Sequence, residues 1–389
     1  MKKFLTVLLL AAFAAGVSAQ EFKINGEVKT GLLWEQTDDQ MIKDAAYSGR
    51  TRAGSKDDAG SGQGRFRINM EYSIENFGFK ARTEINNWGP NEDPFRWPYA
   101  FGYGNLLDEQ LVFSIGKLGA SPWGTGGPEM WKEAEAIDSL AGMRVEIKPQ
   151  AASGLNVGFV INSFNGYTDM YDTNEPITFL HVLQESVIGA AYAHDLFYVR
   201  AAFRFDSVVD KGRDSVHGND GGLLVYRVEE KLIEQYLPYF NIWALGYWDG
   251  LGAHEDNKDF YAVENWLFFQ YAPEFLTAQI RLGYNTYSTL SYIHVKPAVY
   301  AHLFDRMLKI GGYFWYARDF GESKIHEGSP FYFIEFEPLI QFNITPNSYV
   351  AFAYNWRRQY VRETGTHQQL GLEPIKQTQW MNFRVGMTF

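Results

Sequence analysis

Apolar and polar residues alternate with a period of two along much of the chain. The clearest example is the last ten residues, WMNFRVGMTF, whose apolar positions are Met381, Phe383, Val385, Met387 and Phe389. Asn382 and Arg384 lie between them. Because successive side chains of a β-strand point to opposite faces, this pattern predicts a strand with one apolar face. Taken alone, the segment fits either a soluble core or a membrane barrel.

The same alternation recurs at nearly even spacing, which argues for the barrel. Examples are EFKINGEVKTGLLW from Glu21, RFRINMEYSIE from Arg65, FGFKARTEINNW from Phe77, FYVRAAFRFD from Phe197, TAQIRLGYNTY from Thr277 and SYVAFAYNWRRQYV from Ser348. Strands of about ten residues with one apolar and one polar face are typical of a transmembrane β-barrel. An even, closed set of strands is required, because an open edge in lipid would leave backbone groups unpaired.

The connections between these segments are of two kinds. Tight turns are predicted at 75–78, 149–154, 305–306 and 345–347, and long polar loops at 37–63, 163–185, 207–221 and 363–376. Short turns facing the periplasm and long loops facing outward are the rule in outer-membrane barrels. We therefore predict an all-β fold, a transmembrane antiparallel β-barrel of 16–18 strands with 18 favoured.

Two segments decide between these strand counts. GLLVYRVEEKLIEQYLPYF, from Gly222, fits either a hairpin or a short helix, and the stretch from Phe95 to Tyr103 contains Pro98. If one hairpin is absent there, the barrel has 16 strands.

The first residues, MKKFLTVLLLAAFAAGVSA, combine two lysines, an apolar run and a small-residue end. This pattern predicts a secretory signal peptide at 1–19, because the apolar run is shorter than the roughly 20 residues of a membrane-spanning helix. Residues 20–389 are then one exported barrel domain, and the expected location is the cell outer membrane.

The amino-acid composition agrees with a membrane barrel and argues against several classes of function. Mean hydropathy is −0.28, yet aromatic residues make up 17% of the chain, as two interfacial girdles would require. The absence of cysteine excludes disulfides and thiolate sites, and a net charge of −11 disfavours nucleic acid. The eight histidines show no catalytic or metal-ligating spacing, so we expect no enzyme, metal or cofactor.

If apolar residues face lipid, the alternate residues line the lumen. In the early strands this set includes Arg65, Arg67, Lys80, Arg82 and Arg144, against Glu27, Glu71, Glu84 and Glu146. Later strands add Arg200, Arg204, Arg281, Lys296, Lys309 and Arg384, against Asp206, Glu335 and Glu337. The lumen is thus predicted to be more basic than the whole protein.

From Glu21 to about Asp206 the chain resembles the general bacterial porin family, the trimeric diffusion pores of outer membranes. NGEVKTGLLWE is similar to the first strand of that family, RFRINMEYSIENFGFKA to its second hairpin and EQLVFSIGKLGASPWG to its fifth strand. GTGGPEMWKEAEAIDSLAG stands where the family has a loop that folds inward, and Pro128-Glu129 resembles the Pro-Glu step of that loop. The resemblance implies that residues 120–141 form an inward-folded constriction loop.

By position in the family's strands, Arg65, Arg96 and Arg144 match its basic ladder, and Glu129 matches the acid on the inward loop. Together with the alternating pattern, this implies a basic side of Arg65, Arg67, Lys80, Arg82, Arg96 and Arg144. The implied acidic side is Glu129, Glu133, Glu135 and Asp138. Such opposed charges make a transverse field across a narrow waist.

The resemblance also implies partners and a function. A homotrimer in outer-membrane lipid is expected, and the terminal alternation ending at Phe389 resembles the signal read by the barrel-insertion machinery. The expected function is passive diffusion of small hydrophilic solutes and ions with a weak preference for anions. Two alternatives stay open: a surface-exposed structural or adhesive barrel with a plugged lumen, and a sugar- or solute-selective channel lined by rings such as Trp88, Trp97, Trp123 and Trp131.

Overall fold

The computed structural model is a closed antiparallel β-barrel. It describes residues 20–39, 48–53, 65–86, 95–119, 121–124, 141–162, 186–206, 221–251, 262–287, 290–320, 330–362 and 372–389. Within these ranges no helix has both the length and the apolar character needed to cross a membrane. The predicted signal peptide at 1–19 lies outside them.

Strands make up almost all of the described chain. Their bounds are β1 Gln20–Asp39, β2 Ser48–Ala53, β3 Arg65–Ile74, β4 Phe77–Asn86, β5 Phe95–Leu106, β6 Leu111–Lys117, β7 Ala141–Ile147, β8 Leu155–Asn162, β9 Val187–Ala193, β10 Phe197–Asp206, β11 Gly221–Glu230, β12 Phe240–Leu251, β13 Ala262–Tyr271, β14 Leu276–Tyr287, β15 Leu290–Leu303, β16 Leu308–Phe320, β17 Pro330–Thr345, β18 Ser348–Arg362 and β19 Leu372–Thr388. A 3₁₀ turn spans Gln150–Ala152, and the short helix α1 spans Leu232–Tyr236.

The barrel closes between its first and last strands. One edge of β1 pairs with β19, from Glu27 opposite Thr388 to Asp39 opposite Lys376. The other edge pairs with β3 in its first half and with the short β2 further along. Since β2 and β3 share one place beside β1, the 19 strands occupy 18 positions, and the favoured count of 18 is confirmed.

Both uncertain segments contribute to this count. Phe95–Leu106 is a strand despite Pro98. The segment from Gly222 forms most of β11, then α1, then the start of β12, so it contains the predicted short helix between two strands.

The tight turns are where the alternating pattern predicts them, at 75–76, 150–154, 304–307 and 346–347. Glu75 and Asp305 adopt positive φ angles of 49° and 52° there. Two of the predicted long loops, 37–63 and 363–376, include residues that are strand. In the first loop 37–39 and 48–53 are strand, and in the second β19 begins at Leu372. In these segments polar residues continue the hydrogen-bonded strands beyond the part of the barrel with an apolar outer face. Their polar composition alone predicts loops instead.

The alternation runs to the last residue because the terminal strand takes part in closing the barrel. Phe383, Met387 and Phe389 are 44%, 47% and 52% exposed on the outer face. The Phe389 amide donates to the Gly26 carbonyl at 3.0 Å, and the Gly26 amide donates to the Phe389 carbonyl at 2.8 Å. The last residue therefore completes the closure of the barrel against β1.

Candidate functional site

The inner face of β1–β7 carries ionised side chains that pair with one another across neighbouring strands; we refer to it as the charged wall. Arg67 forms ion pairs with Glu27, at 3.0 Å, and with Glu84, which is buried. Lys80 pairs with Glu71 at 2.9 Å. These basic groups thus have carboxylate partners on their own wall, which reduces any field directed across the lumen.

Arg144 lies further around the same wall. Its guanidinium is 3.0 Å from the Glu146 carboxylate and lies over the Phe101 ring, 5.8 Å from the ring centroid. Arg144 and Glu146 are both buried.

Arg82 differs from the other cations of the charged wall. Its Nε donates to Asn69 Oδ1 at 2.6 Å, and its guanidinium lies 5.0 Å from the centroid of the Tyr99 ring. Asn69 in turn donates to Asn25 Oδ1 at 2.7 Å. Among the described residues no carboxylate lies within ion-pair distance of Arg82. Its positive charge is therefore stabilised by neutral groups, the Asn69 amide and the Tyr99 ring, and is not neutralised by them.

The remaining predicted constriction residues lie partly or wholly outside the described set. The backbones of Arg65 and Arg96 pair with Lys29 and Glu84, but their side chains are not described. The acidic residues Glu129, Glu133, Glu135 and Asp138 also fall outside it, as do Trp88 and Trp131. The roles of these charged residues at a constriction, and of the two tryptophans in lining a sugar- or solute-selective channel, stay predictions.

The inner face of β8–β13 carries a buried apolar cluster beside charged residues such as Arg200, Arg204 and Arg227; we refer to this cluster as the apolar wall. Its buried inward-facing residues are Val160, Val187, Ala191, Ala202, Leu223, Val225, Leu245, Tyr247, Trp266 and Phe268. The inward-facing residues of these strands are therefore mixed: Arg200 and Arg204 lie on this face, opposite Ala191 and Val187, and apolar residues that the alternation did not predict lie around them. A sequence signal exists in the consecutive apolar residues of LLV at 223–225, because a strand that is buried on both faces loses its alternation.

Residues 118–119 and 121–124, which follow β6 and are called the segment 118–124 below, cover part of this wall. Leu118 and Trp123 are 2% and 0% exposed and belong to the same apolar cluster. The Trp123 ring lies against two glycines: a Cβ added to Gly189 would lie 2.4 Å from it, and one added to Gly158 would lie 2.8 Å away. The two glycines thus form a flat socket for the indole.

One hydrogen-bonded chain connects this socket to the charged wall. Trp123 Nε1 donates to Asn156 Oδ1 at 3.3 Å, and Asn156 Nδ2 donates to Glu146 Oε2 at 3.0 Å. The indole nitrogen is therefore satisfied although the ring is fully buried. Sequence reasoning singled out Trp123 but not Asn156, because their contact depends on the placement of residues 33 positions apart.

Within the described ranges no group of three or more histidine, aspartate or glutamate side chains is placed to hold a metal ion. The described strands form a closed barrel with an apolar exterior, a backbone ladder with a few β-bulges, and an inner face that carries ionised, amide, aromatic and aliphatic side chains.

This is the fold of the outer-membrane porins, and at that level the resemblance seen in the sequence is confirmed. The sequence matches no protein-family model and no curated protein. Among solved structures, it is similar to an anion-selective porin from Comamonas acidovorans, at 9% identity and a TM-score of 0.51 over 95% of this chain and 100% of the other.

Two further outer-membrane proteins are similar. OmpT of Vibrio cholerae has a TM-score of 0.50 at 10% identity, over 96% of this chain and 99% of the other. The outer-membrane channel DcaP of Acinetobacter baumannii has a TM-score of 0.50 at 7% identity, over 96% of this chain and 98% of the other.

Proposed function

We propose that this protein is an outer-membrane channel, a porin that lets small hydrophilic solutes and ions diffuse through a water-filled lumen. The observation that carries the proposal is the contrast between the two faces of one closed barrel. Outward-facing residues such as Phe383 are apolar and exposed, whereas inward-facing residues such as Arg67, Glu84 and Arg82 are ionised. Ionised residues on the inner face of a barrel are expected where water fills it.

The proposal assigns the constriction to residues 120–141. Its start is supported by Trp123, which lies against the inner wall at Gly158 and Gly189. In this proposal Glu129, Glu133, Glu135 and Asp138 face the basic side chains of the charged wall across the waist. Because Glu27, Glu84, Glu71 and Glu146 already offset most of those cations, we expect the preference for anions to be weak.

The same proposal includes export, assembly and the absence of enzymatic activity. A signal peptide at 1–19 directs export, and Met381 to Phe389 form the signal for barrel insertion. The protein acts as a homotrimer in outer-membrane lipid and uses no cofactor. The anion selectivity in the name of the Comamonas porin is consistent with an anion-preferring channel on this fold.

A second candidate function is favoured by one specific observation. The apolar wall and the segment 118–124 bury a cluster that includes Leu118, Trp123 and Leu223 inside the barrel. A lumen filled in this way over its whole section would make a plugged barrel, whose long outer loops would carry the function.

Single-channel recording of the purified, refolded protein in a planar bilayer distinguishes the two. A channel gives discrete current steps, which arrive in threes for a trimer, and a reversal potential in a salt gradient that reports the ion preference. A silent bilayer from protein with a folded, heat-modifiable barrel supports the plugged alternative. Clear cation selectivity that Arg65→Glu and Arg144→Glu leave unchanged contradicts the anion preference.

A further inference from the structure

One row of inward-facing side chains on the charged wall contains a single ionised group. Asn69 on β3 lies between Asn25 on β1 and Arg82 on β4. Tyr99 on β5 follows on the other side of Arg82. Residues opposite each other on paired strands point to the same face, so these four side chains are neighbours on the lumen wall. Arg82 is partly exposed there, and Asn25 is exposed.

The rows on either side of this one contain ion pairs. Each of them places a cation opposite a carboxylate on the facing strand: Arg67 opposite Glu84, and Lys80 opposite Glu71. At the corresponding place opposite Arg82, β3 supplies Asn69. The amide of asparagine has nearly the shape of an aspartate carboxylate but carries no charge. Arg82 therefore has an amide where the cations of the two adjacent rows have a carboxylate.

Neutral groups hold the Arg82 guanidinium at its Nε and on one face. Arg82 Nε donates to Asn69 Oδ1 at 2.6 Å, and the guanidinium lies 5.0 Å from the centroid of the Tyr99 ring. The Tyr99 hydroxyl donates to the same Asn69 oxygen at 3.4 Å, and Asn69 Nδ2 donates to Asn25 Oδ1 at 2.7 Å. The amide of Asn69 is thereby fixed from three sides.

The far edge of the guanidinium is available to a ligand. Within the part of the chain that the structure describes, the two terminal nitrogens of Arg82 have no hydrogen-bond partner and the side chain is only partly buried. The nearest carboxylates along the wall, Glu71 and Glu84, are engaged by Lys80 and Arg67. The row thus presents a fixed guanidinium whose charge is not neutralised.

We infer that Arg82 binds small planar oxyanions such as carboxylates, and that Asn69 is a positioning residue that holds the guanidinium without neutralising it. The two terminal nitrogens of Arg82 would donate in parallel to the two oxygens of a carboxylate, a geometry that a single-atom anion such as chloride cannot match. The exposed amide of Asn25 supplies further N–H donors in the same row. This inference rests on the proposed channel function, because the anion reaches the row through the lumen.

The test compares formate with chloride in single-channel recordings of the refolded protein. The conductance of a channel that binds its ion saturates with salt concentration, so the half-saturating concentration reports the affinity. One additional hydrogen bond predicts a half-saturating concentration about threefold lower for sodium formate than for sodium chloride. Arg82→Lys keeps the charge but loses the parallel pair of donors, and should bring the two concentrations together.

A second variant tests the positioning role of Asn69. Asn69→Asp keeps the shape and the acceptor for Arg82 Nε but supplies a counter-ion. It should therefore remove the formate preference and lower the anion-to-cation permeability ratio although Arg82 is still present, whereas a purely structural Asn69 would move neither quantity. Lys148→Gln is the control, because Lys148 follows β7 and lies 3.9 Å from the Glu146 carboxylate. It should leave the formate preference unchanged.

Equal half-saturating concentrations of formate and chloride in the unmodified protein, or a formate preference that survives Arg82→Lys, would overturn the site. A preference that survives Asn69→Asp would overturn the role of Asn69. Saturation-transfer NMR of formate with the folded protein in detergent separates the site from the channel. Formate binding that needs Arg82, in a protein that carries no current, supports the site and contradicts the channel. A current without such binding supports the channel and contradicts the site.

Discussion

The charged wall and the apolar wall occupy equivalent inward-facing positions of one barrel, yet they are stabilised by different forces. On the charged wall, Arg67, Glu27 and Glu84 satisfy one another and tolerate contact with water. On the apolar wall, Leu223 and Val225 are fully buried, which requires a cover. The segment 118–124 supplies part of that cover through Leu118 and Trp123. The comparison shows that inward-facing positions of one barrel can be stabilised either by ion pairs that tolerate water or by apolar packing that needs a cover.

The largest expected effect comes from removing the main covering side chain. Trp123→Ala should lower the free energy of unfolding by about 3–5 kcal/mol, because it leaves a cavity at a fully buried indole. It should also raise the single-channel conductance by loosening the segment 118–124. Urea unfolding in lipid vesicles and bilayer recording measure the two quantities.

The control for this change is Trp248→Ala, since Trp248 lies on the outer face and is 47% exposed. It should leave the conductance unchanged. Unaltered stability and conductance in Trp123→Ala would mean that Trp123 does not hold the cover on the apolar wall.

On the charged wall, the largest effect is expected from Glu84, which is 2% exposed and accepts a hydrogen bond from Arg67. Glu84→Gln keeps the shape but removes the charge, and should cost about 1.5–3 kcal/mol of unfolding free energy. Glu21→Gln is the matched control, because Glu21 pairs with Lys23 at 2.9 Å in an exposed position. No measurable change is expected there. Equal losses in the two variants would show that burial on this wall does not strengthen its ion pairs.

A smaller effect tests the glycine socket. Gly189→Ala adds a Cβ about 2.4 Å from the Trp123 ring, and such overpacking should cost about 1–3 kcal/mol. Gly102→Ala is the control, because among the described residues its Cβ would meet only the Gly78 carbonyl oxygen, at 3.8 Å.

The cost of Gly189→Ala should fall when Trp123→Ala is present, since the clash is then absent. Additive losses in the double variant would mean that the two residues do not touch in the folded barrel.

The smallest expected effect concerns selectivity. Arg82 has only neutral partners among the described residues, so Arg82→Gln should lower the anion-to-cation permeability ratio about twofold, the size expected for one charge in an aqueous lumen. The double variant Glu71→Gln/Lys80→Gln removes one positive and one negative charge that form an ion pair. Because the net charge of the wall does not change, the anion-to-cation permeability ratio should stay the same. Reversal potentials in a salt gradient measure both, and equal shifts would contradict the distinction between paired and unneutralised cations.

Much of the barrel can be predicted from the sequence because its signals are local. Met381 to Phe389 alternate by themselves, and lipid requires the apolar face to point outward and the barrel to close. The candidate site is less predictable. Arg67, Lys80, Arg82 and Arg144 were predicted to face the lumen, and the strand register places them on one inner wall. The ion pairs of Arg67, Lys80 and Arg144 with particular carboxylates were not predicted, because pairing depends on the register between strands.

By itself, the sequence determined the strands, the face that each strand turns to lipid, and the preference for 18 positions, since alternation and turn residues act within a few residues of one another. Only the tertiary structure decided that the lumen has an apolar wall, that Trp123 lies on Gly158 and Gly189, and that Arg281 faces Lys296. Each of these depends on which distant strands become neighbours. A two-residue period predicts which side chains point inward, and the folded barrel determines which residues each of them contacts.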